Sequence, residues 1–206
     1  MIPSRLGSCA ATIVALIGVA YVAVLGIGIA RFGLERPITD PVLAVMEVLT
    51  LLSAPALLIA LAAVRDGAAP DRRPWGTVSL SFAIIFAGLT SAVHFIELTA
   101  VRQRGGGGIA WPSAGYAAEL LAWDWFLGLA LLFAAPVFAG ESSAERRVRR
   151  GFRVAGTLCL VGTIGPLLGA MALQRVGIAG YALVLPVAFA WLAELLRVPP
   201  GGRSAA

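Results

Sequence analysis

The chain of 206 residues has no lysine, one histidine and two cysteines, and only 13% of it is charged. Each scarcity excludes a chemistry. Without lysine no retinal Schiff base can form. A single histidine, His94, rules out haem ligation by two imidazoles. It also leaves zinc without the His-rich or Cys-rich spacing that marks such sites, so no metal is assigned. Di-iron bundles repeat Glu-x-x-His on two helices; "HFIE" at 94–97 runs in the reverse order and has no second copy. Ser91, His94 and Glu97 crowd one short stretch, which is poor geometry for a serine triad. Cys9 and Cys159 sit in apolar surroundings, as small fillers rather than an extracellular disulfide. Cofactors remain unknown at this level.

What fills the chain instead is hydrocarbon, at 59% of residues. It comes in six blocks, 10–30, 41–64, 75–100, 116–139, 152–173 and 176–197. Each is about the 20 residues a helix needs to cross a bilayer. The expected fold class is therefore all-α: a polytopic membrane protein, one domain over 1–206, with six transmembrane helices. The first block is too long for a signal-peptide core and lacks a clean cleavage site, so it is expected to stay as the first helix. "LGSC" before Ala10 resembles a lipoprotein box but has no apolar run ahead of it.

All sixteen basic residues are arginines, and their distribution sets an orientation. Eleven lie at the N-terminus, in the second and fourth connections and in the C-terminal tail; five (Arg31, Arg36, Arg102, Arg104, Arg175) lie on the opposite side. The positive-inside rule places both termini in the cytoplasm. The expected location is a plasma membrane, the inner membrane of a bacterium given the Arg/Ala/Gly bias. "ERRVRR" then marks topology and offers Arg146, Arg147, Arg149 and Arg150 to anionic lipid headgroups. No nucleic-acid motif accompanies the basic balance, so the expected partner is the bilayer. Gly105–Gly108 reads as a flexible linker.

Depth along the helices gives the functional signal. At 1.5 Å per residue, Glu47 lies about 9 Å from the outer face, His94 about 9 Å and Glu97 about 5 Å. Glu119 lies about 5 Å deep and Asp124 about 12 Å. These five ionisable residues from three helices share the outer half of the membrane. Thr90, His94 and Glu97 fall within an arc of about 60°, and Ser79 and Phe86 extend that stripe. In an α-helix Glu119 and Asp124 would stand about 140° apart, a poor match to one pocket. Buried charges in a membrane face partners or ligands, because facing lipid costs several kcal/mol. The candidate ligand-binding residues are thus Glu47, His94, Glu97, Glu119 and Asp124.

The expected function is to bind, and in one version transport, a small molecule, lipid headgroup or cation in an outer-facing pocket. One alternative is a membrane-embedded enzyme using His94, as general base or metal ligand, together with the carboxylates. Another is a non-catalytic subunit whose polar residues only fix helix packing. Pro55 and Pro166, at similar offsets in blocks two and five, hint at an inverted repeat with broken helices. "GPLLG" at 165–169 reads as a close-packing motif.

Overall fold

Long uncharged stretches must satisfy their own backbone hydrogen bonds in lipid, and a helix does so within one segment. In the computed structural model, which describes residues 4–34, 36–105 and 110–197, every regular element is helical. The main elements are α1 (Ser4–Phe32), α2 (Val42–Asp66), α3 (Arg73–Val101), α4 (Ala114–Val137), α5 (Ser143–Gly162) and α6 (Met171–Arg197). A single extra turn, Ile164–Leu167, lies between the last two. Helices α1 to α4 and α6 are long and apolar enough to cross a membrane.

The fifth helix departs from the expected 152–173. It starts nine residues earlier, because Ser142 caps it by accepting the Glu145 N–H at 3.2 Å. Its first eleven residues carry five arginines, so α5 is half polar surface and half apolar. It ends at Gly162, and the chain reverses through Gly169 (φ 68°), a left-handed turn that glycine adopts freely. Gly169 is therefore a turn residue, not the packing residue expected of "GPLLG", and a Cβ there would meet nothing within 4 Å. Gly165 keeps the packing role: a Cβ there would fall 2.5 Å from the Gln174 nitrogen. Pro166 belongs to the reversal, whereas Pro55 sits inside an unbroken α2, so the two prolines do not mark equivalent breaks.

Helix order follows the chain. Each helix packs on its neighbours in sequence, and α6 closes the ring against α1. Short connections dictate antiparallel neighbours. The interior combines small residues (Ala11, Ala54, Ala83, Ala130, Ala155) with Phe86, Phe152 and Phe189, all fully buried. Large aliphatics such as Leu16, Val19, Ile27, Leu52 and Leu183 are exposed on the outside. Small residues within and large apolar ones without is how helices pack against each other in lipid. The chain is built as a multi-pass membrane protein.

Arginines gather at one end of this ring. Arg72 donates to the Pro136 carbonyl at 3.4 Å and Arg149 to that of Phe138 at 2.9 Å, so two basic connections meet at the end of α4. The expected site residues lie toward the opposite end.

Candidate functional site

The polar stripe of α3 is buried as its 3.6-residue period requires: Ser79, Phe86, Thr90 and Glu97 are each at most 3% exposed. Ser79 Oγ donates to the Ala130 carbonyl at 2.7 Å and registers α3 against α4. One turn above Phe86, Thr90 Oγ1 accepts from Trp123 Nε1 at 2.9 Å and lies 3.3 Å from both Glu119 carboxylate oxygens. His94 Nε2 meets Glu119 Oε1 at 2.7 Å. Its other nitrogen, Nδ1, is buried and makes no hydrogen bond with any described residue. Trp123 packs edge-on to Phe86 at 4.9 Å and against Tyr181 of α6 at 5.1 Å.

Asp124 is completely buried. Its Oδ2 accepts from Gln174 Nε2 at 3.3 Å, and the same nitrogen lies 3.4 Å from the Tyr181 hydroxyl. Its Oδ1 has no hydrogen-bond partner among the described residues. Two glycines crowd that oxygen: a Cβ on Gly177 would fall 2.2 Å from it, and one on Gly162 would fall 3.2 Å away. Helix α4 makes this approach through a π-helical turn, Leu121–Phe126. An i→i+5 turn takes up one extra residue and retards the register by about 100°, cutting the 140° between Glu119 and Asp124 to about 40°. The other two π turns among the described residues start at Glu97 and contain Tyr181. Such turns recur at functional sites, and here all three carry members of the cluster.

A second lobe lies at the rim. Arg102 grips Asp40 with two bonds, 2.8 and 2.7 Å, and donates a third to Glu47 at 3.0 Å. The guanidinium beside it holds the Asp40 carboxyl below the usual aspartate range, and the hydrogen bond to Asp40 raises Arg102 in turn. Glu47 is buried, and His94 and Glu97 act on its charge. Thr50, one turn on from Glu47, is buried and donates to its own helix at the Met46 carbonyl.

The five sequence candidates thus divide. His94 and Glu119 touch each other; Asp124 lies behind Trp123 with Gln174; Glu47 belongs with Arg102; Glu97 is buried within electrostatic reach of Glu47. Missed from sequence were Asp40, Gln174, Tyr21 and Tyr181, whereas Tyr116 reads as one of the aromatics flanking the cluster. All three tyrosines of the chain come together: Tyr21 and Tyr116 feel the charge of Glu119, and Tyr181 that of Asp124. Gln174 fell in the expected gap between the last two helices, where no depth could be assigned. Asp40 lay just outside an apolar block. Among the described residues, no group of three or more His, Cys, Asp or Glu is placed to hold a metal ion.

No family model, curated protein or solved structure matches this chain.

Proposed function

We propose that this multi-pass membrane protein is proton-linked, taking up and releasing a proton through the polar cluster in the outer half of the bilayer. Asp124 Oδ1 carries this reading. It is buried, accepts no hydrogen bond from any described residue and lies against two glycines, on either of which an added Cβ would crowd it. Of the expected ligand classes, a proton is the one that needs no volume. Intramembrane Asp, Glu and His are the usual members of proton relays.

The His94–Glu119 contact provides a direct transfer step. At 2.7 Å the proton moves from imidazole Nε2 to carboxylate Oε1 and back, with no other bond made or broken. Thr90 and Trp123 hold Glu119 in register, and Tyr116 feels both Glu119 and Asp124. Exchange with the outside runs past Glu47, Arg102 and Asp40. The chain crosses the bilayer six times, with the arginine-rich end in the cytoplasm.

The test is infrared difference spectroscopy of nanodisc-embedded protein between pH 5 and pH 8, reading the protonated carboxyl band. Asp124→Asn is expected to delete one component, and His94→Gln to change the band assigned to Glu119. Proton flux into liposomes under a potassium diffusion potential should fall in both variants. Superimposable spectra and equal flux in folded variants would show that the cluster only packs helices.

A further inference from the structure

The basic half of α5 has two unlike faces. Val148, Gly151, Phe152 and Ala155 are buried against the bundle. Arg146, Arg147, Arg149, Arg150 and Arg153 spread over an arc of about 160° on the other side. Two of the five have fixed positions: Arg146 donates to the Glu141 carbonyl and Arg149 to that of Phe138. Arg147, Arg150 and Arg153 make no hydrogen bond or ion pair with any described residue. Together with Ser143 and Val154, the five guanidiniums line an open surface groove of about 610 Å³ along this one helix.

Like charges three or four residues apart on a helix repel, and Arg150 has Arg146, Arg147 and Arg153 at that spacing. Neighbouring carboxylates do not relieve this: neither Glu141 nor Glu145 forms an ion pair with them. A bound anion would. Planar guanidiniums match phosphate oxygens two at a time, a fit that lysine lacks. The groove also sits where α5 turns from polar to apolar, from Arg153 to Val154 onward. A basic cluster beside a membrane helix attracts anionic headgroups.

We infer that this groove is a binding site for a phosphate group carried by an anionic lipid headgroup, with Arg147, Arg150 and Arg153 as its main donors. It is separate from the proton-linked cluster and does not depend on that reading. The experiment is native mass spectrometry of the whole protein released from phosphatidylcholine nanodiscs containing a minor share of phosphatidylglycerol. Retained lipid should be enriched in phosphatidylglycerol about tenfold over its share, and Arg147→Gln/Arg150→Gln/Arg153→Gln should return it to that share. Equal enrichment in a folded triple variant overturns the site. Should the triple variant fail to fold, Arg150→Gln alone is read: reduced enrichment supports the site and unchanged enrichment overturns it. Inorganic phosphate added to pure phosphatidylcholine discs separates the two sources. A phosphate adduct that displaces lipid and is lost in the variant overturns the lipid assignment in favour of a free phosphate.

Discussion

Gly177 decides how closely α6 can approach Asp124. A methyl group there would meet Oδ1 at 2.2 Å and Cγ at 3.0 Å, so the carboxyl must move or the helices must part. Gly177→Ala is expected to destabilise the protein by about 1–3 kcal/mol, the usual cost of overpacking. Gly88→Ala is the control. It lies in α3 with nothing within 4 Å of an added Cβ, and should stabilise by up to about 1 kcal/mol through the unfolded chain. Reversible unfolding in mixed micelles measures both, and equal effects would show that the Asp124 contact is not tight. At this scale the sequence was informative about which residues are buried and poor about their partners. The period of α3 placed Thr90, His94 and Glu97 on one buried side. It could not show that His94 meets Glu119 while Glu97 stands near Glu47, because partners depend on helices about 20 residues or more away in the chain.

The π turn of α4 is an element-scale device. Asp124 faces Gln174 while Glu119 faces His94, and an unbroken α-helix would set those two carboxylates about 140° apart. Deleting Leu121, which is exposed within the π turn, removes the extra residue. Glu119 and the aspartate are then four residues apart on an unbroken α-helix, about 40°, so the aspartate keeps facing Gln174. The deletion should therefore melt close to Leu121→Ala, which keeps the turn. A much lower melting temperature for the deletion would mean that the π turn is not what absorbs the extra residue. Apolar blocks do not disclose such turns, since inserting one residue leaves hydrophobicity unchanged. Helix limits were misread for a related reason: the block beginning at Phe152 marks where α5 becomes apolar, whereas Ser142 marks where it becomes helical. The second to fourth helices were legible because their apolar and helical limits nearly coincide, whereas α1 begins at Ser4, ahead of its apolar block at 10–30.

Across the whole molecule, arginine holds the two ends differently. At the basic end guanidiniums tie connections to backbone carbonyls, Arg72 to Pro136 and Arg149 to Phe138, bonds with no titratable acceptor. At the opposite end Arg102 ties the approach to α2 through the carboxylates of Asp40 and Glu47. The ends should therefore respond differently to acid. Asp40 has its folded-state value lowered by Arg102, so the pair contributes stability above the ordinary aspartate range and loses it as pH falls through the lowered value. Asp40 is half exposed, and salt should weaken the contribution further. Hydrogen exchange of 36–46 is expected to quicken, after correction for intrinsic rates, as pH drops from 5 to 3, while 136–150 keeps its protection. In Asp40→Asn the first segment should already exchange fast at pH 5 and show little further change. If it keeps wild-type protection at pH 5, the Arg102 clasp is not what closes this end of the bundle.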